Sequence, residues 1–408
     1  MGYLYGLKAL LEIVNSALAE YLLVAVLAGY TLYSFWGKVH STARVHKTTF
    51  LLLLATLVCF GWSFFQNAGF DSLRIVGKYL SCVLIFFLVS VELGEEKKTR
   101  DFFEVIWKTY HILFYISLLM ILLGPGRIVW GNTLTLRGAY FYKTDYAAFL
   151  FQFMILCRLK FTGAGLEKDR IQPYPLALIL FSSGLIVFTN SRIYLPLLLI
   201  YYFLLLCEYR DLPVQKLFRL RYVAALLALG ILGMVLLTFI PKWFPQLHWI
   251  GLNFEDGILT GSNTQGRNQI WRNVLGYFFE APWGRRLFGV DLVSTPAASG
   301  LDLLSHNSFV YILFSFGYIG TAVFLVFFAY IFRIIYRCRN GFLSYTLLLT
   351  ALCFWVTSFS QDNIIFTQQT AFLYMVLAAA SRMLVEKEKR RPRLPGTAGM
   401  PVRAPGAR

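Results

Sequence analysis

Arg192 lies in a polar turn between two short apolar segments. The segments on either side of residues 189–192 (Thr-Asn-Ser-Arg) hold about 15–17 apolar residues each, whereas a membrane crossing takes about 20. We therefore predict that the turn lies below the membrane surface, where an ionisable residue indicates a functional site. The alternative is an arginine that extends its side chain to the lipid head groups.

Arg267 begins a predicted amphipathic helix. Trp271 and Val274 follow it at helical spacing, so Arg267 lies on the apolar stripe of that helix. A guanidinium in the first turn of a helix suits a phosphate, because its forked donors add to the free backbone N–H groups of the helix start. The alternative is an ion pair with Glu255 or Asp256 that holds the surrounding loop together.

The short segment Ser-His-Asn at residues 305–307 precedes a long apolar run. Ser305 is the predicted N-cap, which places His306 in the first turn of the helix. The positive end of that helix favours the neutral imidazole, the form that accepts a proton. A single histidine is more often structural than catalytic, so its role depends on its neighbours. Asn307 beside it is a further candidate for substrate binding.

A second polar segment precedes another predicted span. Lys143 and Asp145 lie two residues apart, shortly after Arg137, at the predicted outer end of that span. These residues could bind a polar substrate, or they could anchor the span at the membrane interface together with the neighbouring tyrosines. Asp362 and Asn363, in another predicted outer turn, could serve as partners for the arginines.

Together these residues indicate one kind of chemistry. Arg192, Arg267 and His306 are far apart in sequence, but each is predicted at the same membrane face. Two fixed cations and a base suit a lipid-borne pyrophosphate whose sugar is attacked by a hydroxyl. The arginines would neutralise the leaving diphosphate, and His306 would take the proton of the hydroxyl. We expect no metal and no cofactor, because no metal-ligand cluster and no hydrolase-type carboxylate pair stands out.

The composition predicts the elements that must position these residues. Of the 408 residues, 58% are hydrophobic and 14% charged, far from the roughly 25% charged residues of soluble domains. This excludes a soluble enzyme and a disordered chain, and the six cysteines have no spacing typical of a disulfide framework or a metal site. We predict an all-α polytopic membrane protein of about eleven or twelve spans. The spans are 3–19, 21–36, 48–65, 73–91, 102–123, 139–157, 175–189, 193–207, 222–240, 307–336, 345–359 and 364–384.

Lysine and arginine concentrate in alternate loops, which predicts that these loops lie on the inner side of the membrane. This pattern accounts for the net charge of +17, so we expect no nucleic-acid partner. The predicted organisation has four parts. They are N-terminal spans at 1–240, one large outer loop with amphipathic helices at 241–305, C-terminal spans at 306–385, and a disordered basic inner tail at 386–408.

Several short motifs, in this order and at this spacing, resemble the superfamily of O-antigen polymerases and O-antigen ligases. The segment KTDYA at 143–147 is similar to that family's lysine-containing motif before a span, although Asp145 departs from the usual pattern. The other matching segments are TNSRIYLP at 189–196, GRNQIW at 266–271, Pro-Trp-Gly to Phe-Gly at 282–289, SHNSFV at 305–310 and FGYIG at 316–320.

The resemblance implies a GT-C-like fold and glycosyl transfer, without metal and with inversion, on the outer face of the bacterial cytoplasmic membrane. The implied donor is a glycan on undecaprenyl pyrophosphate, and the acceptor is another lipid-linked glycan or lipid A core. Arg192 and Arg267 become ligands of the diphosphate and His306 becomes the base, while Arg285 and Arg286 could contact the same phosphates.

Several activities fit this resemblance. We favour a polymerase, for which membrane lipids and a chain-length regulator are expected partners. The alternative within the resemblance is a ligase. An alternative of another class, apart from the resemblance, is a transporter or flippase for lipid-linked glycans.

Overall fold

The computed structural model describes residues 2–14, 17–38, 47–93, 95–130, 133–161, 173–243, 266–338 and 340–390. Helices make up most of this part of the chain. They are α1 (Gly2–Val14), α2 (Ala17–Lys38), α3 (Lys47–Gln66), α4 (Phe70–Glu92), α5 (Glu96–Leu123), α6 (Lys143–Phe161), α7 (Pro173–Phe188), α8 (Tyr194–Tyr209), α9 (Val214–Leu217), α10 (Leu220–Trp243), α11 (Arg267–Glu280), α12 (Trp283–Phe288), α13 (Thr295–Ser299), α14 (Ser308–Arg337), α15 (Gly341–Thr357) and α16 (Gln368–Arg390).

Five of these helices are long and apolar enough to cross a membrane. They lie within α3, α4, α5, α10 and α14, and shorter apolar helices occur within α2, α7, α8 and α15. The chain is thus an all-α protein with several helices able to span a bilayer, as its composition predicts. The count of eleven or twelve crossings and the GT-C-like architecture stay predictions.

One element that the sequence analysis did not predict is a two-stranded hairpin between α5 and α6. Strand β1 (Arg127–Trp130) pairs antiparallel with β2 (Thr133–Leu136), so that Val129 faces Leu134. The β-branched residues Ile128, Val129, Thr133 and Thr135, together with Trp130, favour this pairing. The hairpin links the end of α5 to the residues that lead into α6, where Lys143 begins the helix.

Some predicted boundaries are corrected by the structure. The predicted span 3–19 is divided between α1, described as far as Val14, and α2, which begins at Ala17. Helix α10 runs on to Trp243, beyond the predicted loop boundary. Helix α16 continues to Arg390, so residues 386–390 belong to a helix and not to a tail. Residues 244–265 of the predicted loop and 391–408 of the predicted tail lie outside the described residues.

The turn between α7 and α8 is confirmed. Each helix has 16 residues, which corresponds to about 24 Å and falls short of a hydrocarbon core of about 30 Å. Asn190 has a left-handed backbone with φ of 52°. Asparagine is one of the few residues besides glycine that adopt this conformation readily, which suits the reversal of the chain here.

A close backbone contact between two glycines fixes residues 289–290 onto α14. Gly289 has φ of 97°, and Gly317 interrupts α14 with φ of 64°. The Val290 N–H donates to the Phe314 carbonyl at 2.8 Å. A Cβ on Gly289 would lie only 2.1 Å from the Ser315 carbonyl oxygen, so a larger residue does not fit there. This contact holds α11 and α12 against the helix that follows residues 305–307.

A buried ion pair holds α6, α8 and α15 together at the end of the bundle away from Lys143. The fully buried Arg158 pairs with Glu208 and donates to the Thr346 hydroxyl. Around them, the Tyr201 hydroxyl donates to the Met154 carbonyl at 2.8 Å. The pair therefore fixes the far ends of the helices whose near ends carry site residues.

We expect Glu208→Ala to lower the free energy of unfolding by about 3–5 kcal/mol, because it leaves the buried Arg158 without its carboxylate partner. The matched control is Glu104→Ala. Glu104 is partly exposed and pairs with Lys108 and Lys160, so its loss should cost less than about 1 kcal/mol. Denaturant unfolding in detergent measures both values. Equal losses would contradict the conclusion that the Arg158–Glu208 pair holds these helices together.

Candidate functional site

One end of the helical bundle collects charged residues from five separate segments. Lys143 begins α6, Arg192 lies in the turn before α8, Arg267 begins α11, His306 precedes α14, and Asp362 lies between α15 and α16. Lys143 is repelled by both Arg192 and Arg267. The field of Asp362 acts on Arg267 and on His306. The structure therefore brings together the three residues on which the sequence-based hypothesis depends.

Asp362 organises the loop that carries the histidine. Its carboxylate is fully buried and accepts three hydrogen bonds. The donors are the Ser305 hydroxyl at 2.7 Å, the His306 N–H at 2.8 Å and the Asn307 N–H at 2.9 Å. Because all three donors come from consecutive residues, Asp362 fixes the backbone of this loop, including the left-handed φ of 47° at His306.

The predicted N-cap of the following helix is wrong. Asn307, not Ser305, caps α14, since its Oδ1 accepts from the N–H groups of Phe309 at 3.0 Å and Val310 at 3.1 Å. The Ser305 hydroxyl is bound to Asp362 and so does not cap the helix. His306 therefore lies before the helix and not in its first turn, and Asn307 has a structural role as well.

Burial, rather than the helix dipole, sets the protonation of the site. Burial lowers the pKa of His306, Arg267 acts in the same direction, and Asp362 opposes both. Burial raises the pKa of Asp362, against the Ser305 hydrogen bond and the other groups that stabilise its charge. Burial also lowers the pKa of Arg192 and Arg267, but an arginine remains charged at neutral pH. The site thus combines fixed cations with a neutral imidazole.

Helix α11 positions Arg267 beside this loop. As predicted, the helix is amphipathic, with Ile270, Val274 and Phe278 on its buried face. The Trp271 indole N–H donates to the Ser305 carbonyl at 2.8 Å, which ties the N-terminal half of α11 to the histidine loop. The alternative ion-pair partners predicted for the arginine, residues 255 and 256, lie outside the described residues.

Two polar side chains in the turn before α8 were missed by the sequence analysis. Asn190 is 8% exposed and Ser191 is 7% exposed. The Asn190 Oδ1 and the Ser191 hydroxyl have no hydrogen-bond partner in the described part of the chain. A buried polar atom without a partner costs free energy, so such atoms call for a ligand or a water. The available signal was the run of short polar residues directly before Arg192.

A buried hydrogen-bond network connects this turn to the segment that carries Asp362. The Gln369 amide donates to the Tyr194 hydroxyl at 2.8 Å and its oxygen accepts from Thr357 at 2.8 Å. The Asn363 side-chain nitrogen donates to the Phe354 carbonyl and to the hydroxyls of Thr357 and Ser358, which stabilises the turn. Its role as a partner for the arginines stays a prediction.

The remaining candidates divide into two groups. Asp145, in the first turn of α6, lies within electrostatic range of Tyr194 and so lies near the turn of Arg192. Arg137 instead donates from Nε to the Pro125 carbonyl at 3.1 Å and fastens the base of the hairpin.

Arg285 and Arg286 belong to α12, outside the cluster. Arg285 is exposed, and the Arg286 guanidinium lies 5.0 Å from the centre of the Trp283 ring. No contact in the described structure joins either arginine to His306 or Arg267. The expectation that they reach the same phosphates stays untested.

Within the described residues, no three or more His, Cys, Asp or Glu side chains are grouped so that they could hold a metal ion. A comparison of the chain with protein-family models and with curated proteins finds no match. The function must therefore be inferred from the geometry and charge of the site itself.

Proposed function

We propose that this protein is a membrane glycosyltransferase whose donor is a glycan carried on a polyprenyl diphosphate. The observation that carries the proposal is the convergence of Lys143, Arg192 and Arg267 with His306 and Asp362 at one end of the bundle. A cluster of partly buried cations beside a neutral imidazole fits a reaction in which a diphosphate leaves and a hydroxyl loses its proton.

The three cations suit the diphosphate for a physical reason. Each guanidinium of Arg192 and Arg267 can form paired, charge-assisted hydrogen bonds with phosphate oxygens. Their mutual repulsion, together with that of Lys143, is relieved when an anion binds between them. As the bond between the sugar and the diphosphate breaks, negative charge grows on the leaving oxygen. Cations fixed in advance stabilise that charge without further reorganisation.

His306 acts on the other reactant. The acceptor hydroxyl attacks the anomeric carbon while the bond to the diphosphate breaks, and an imidazole nitrogen of His306 takes the hydroxyl proton. Direct displacement inverts the configuration at that carbon. Asp362 does not contact the reactants in this scheme, but positions the histidine through the three hydrogen bonds to its loop.

The unpartnered atoms beside Arg192 support a sugar at this place. Phosphate oxygens accept hydrogen bonds, so the Asn190 Oδ1 cannot be satisfied by a diphosphate and requires an O–H or N–H donor. A sugar bears hydroxyls that both donate and accept, which suits the Ser191 hydroxyl as well. Donor recognition would then extend from the cations to the first sugar.

We further propose that the protein lies in the bacterial cytoplasmic membrane, with the site on the outer face. The basic loops favour the inner side of the membrane, and the site residues lie in segments predicted on the opposite side. The donor lipid is then undecaprenyl pyrophosphate. The favoured activity is polymerisation of repeat units, and ligation of a finished glycan to lipid A core is the alternative.

The test uses the purified full chain in lipid nanodiscs with undecaprenyl-pyrophosphate oligosaccharide as the only substrate. We expect a ladder of longer lipid-linked glycans in the presence of EDTA. Products that form only after lipid A core is added identify a ligase instead. Movement of the lipid across a vesicle membrane with no product from either acceptor overturns the proposal in favour of a transporter.

A further inference from the structure

An apolar groove lies between α10 and the helices behind it. Its cavity has a volume of about 730 Å³ and is lined by apolar residues of α8, α9, α10, α14 and α15, among them Leu217, Met234, Phe332 and Leu348. The groove is open along α10, since its lining residues Leu227 and Ile231 are 64% and 65% exposed. The volume falls within the range of pockets that hold small ligands.

The length of the groove corresponds to one leaflet of a bilayer. Its lining on α10 runs from Val223 to Val235, which is about 18 Å at 1.5 Å per residue. Half of a hydrocarbon core of about 30 Å is about 15 Å. An acyl chain of a single leaflet therefore fits the groove from end to end.

Exposed basic residues lie next in sequence to residues that line one end of the groove. Lys216 and Arg219 directly flank Leu217 and Phe218, which line it, and Arg333 follows the lining residue Phe332. These three basic side chains are exposed. Arg221 is exposed at the same end, where its guanidinium lies 4.8 Å from the centre of the Tyr222 ring. An apolar slot with a cluster of cations at its mouth matches a lipid with an anionic head group.

We propose that an anionic phospholipid binds here, with an acyl chain in the groove and its phosphate against Lys216, Arg219, Arg221 and Arg333. The head group lies at the far end of α8 from Arg192, because Arg192 precedes Tyr194 whereas the basic cluster follows Tyr209. About 24 Å of helix separates the two ends. The bound lipid is therefore distinct from a donor whose diphosphate lies at Arg192, and this inference does not depend on the proposed glycosyl transfer.

The lipid has a structural consequence for α10. It fills the space between α10 and the rest of the bundle, so it replaces the packing that α10 lacks. Helix α10 precedes, in the chain, the helix that begins at Arg267. A lipid that restricts the motion of α10 therefore also restricts the chain on the side from which it reaches Arg267.

The experiment measures phospholipid binding to the delipidated full chain by native mass spectrometry and follows its thermal unfolding. The probes are phosphatidylglycerol and phosphatidylcholine with identical acyl chains. We expect one phosphatidylglycerol per chain and a higher unfolding midpoint with it, and binding of phosphatidylcholine weaker by at least tenfold.

Two variants, each with a control, test the acyl-chain subsite and the head-group subsite separately. Gly230→Leu fills the groove without a backbone clash, since nothing lies within 4 Å of a Cβ at that position, and it should abolish the bound lipid. Gly61→Leu, at an equally open position on α3, is its control and should leave binding unchanged. Changing Lys216, Arg219 and Arg221 together to Gln should weaken binding by more than tenfold, while Lys97→Gln on α5 should not.

Three outcomes overturn the inference. Equal binding of the two phospholipids would show that the head group is not recognised. Binding by Gly230→Leu at the wild-type level would show that the acyl chain does not occupy the groove. Displacement of phosphatidylglycerol by undecaprenyl phosphate reassigns the groove to a polyprenyl tail.

Discussion

Arg267→Ala is expected to lower kcat for the proposed glycan transfer by a factor on the order of 10²–10³, the loss typical of removing one fixed group that stabilises developing charge. Arg267 is half-buried at the start of α11 and interacts with Arg192 and Asp362, so its guanidinium lies within the cationic cluster. The leaving diphosphate would lose a charge that no solvent cation replaces in the same position. Initial rates with saturating lipid-linked donor measure the effect.

The same helix offers a matched control. Arg272 is exposed on α11, five residues further on, and faces away from the apolar stripe. Arg272→Ala removes the same charge from the same element and should keep kcat within about twofold of the wild type. Arg267→Lys should recover only part of the activity, because an ammonium cannot form the paired hydrogen bonds of a guanidinium. Equal losses in the Arg267→Ala and Arg272→Ala variants would show that α11 as a whole, rather than this side chain, matters.

The sequence predicts those parts of the site that depend on local pattern. The periodicity after Arg267 predicts an amphipathic helix, and two short apolar runs around residues 189–192 predict a turn between two short helices. The structure confirms both elements, while the depth of the turn in the membrane stays a prediction. Helical spacing and the length of an apolar run are set by neighbours in sequence, and these can be read without knowledge of the fold.

The organising carboxylate depends on contacts that local pattern does not reveal. Asp362 binds a loop more than fifty residues away, so its role follows only from the packing of α14, α15 and α16. The assignment of Ser305 as N-cap failed for the same reason, because the distant carboxylate takes its hydroxyl and leaves Asn307 to cap the helix. Both residues are good N-caps, so sequence alone does not decide between them.

The unpartnered atoms of the turn illustrate a further limit. Asn190 and Ser191 are typical turn residues in sequence, and a turn usually places such side chains in water. Their burial arises because the two helices around them are short and the turn is drawn into the bundle. Asn190 and Ser191 are identified by the missing hydrogen-bond partners of their buried side-chain oxygens, which only the three-dimensional structure reveals.

His306→Asn is the second change for which we expect a large effect, a loss of transfer on the order of 10²–10⁴-fold, typical of removing a general base. Asparagine suits the left-handed backbone at this position, with φ of 47°, so the substitution removes the imidazole without straining the loop. His111→Asn on α5 is the control. His111 interacts with Tyr174, away from the cluster, and its loss should leave transfer unchanged.

The pH dependence distinguishes a base from a merely structural histidine. In the proposed mechanism the neutral imidazole accepts the proton, so activity should be present above the pKa of His306 and be lost as the pH falls through it. Because burial lowers this pKa from its ordinary value of 6.5, the acid limb of kcat/KM should have its midpoint below pH 6.5 and disappear in His306→Asn. A pH profile for His306→Asn that keeps the acid limb would assign the titration to another group.

Asp362→Asn tests the positioning role through the same profile. The carboxylate raises the pKa of His306 against the effect of burial, so its neutralisation should move the acid limb to still lower pH. The amide also cannot accept all three hydrogen bonds from residues 305–307, because its nitrogen donates and would face a donor. We therefore expect a lower kcat together with a shifted midpoint. A fall in kcat with an unmoved midpoint would mean that Asp362 supports the loop without electrostatic contact with the imidazole.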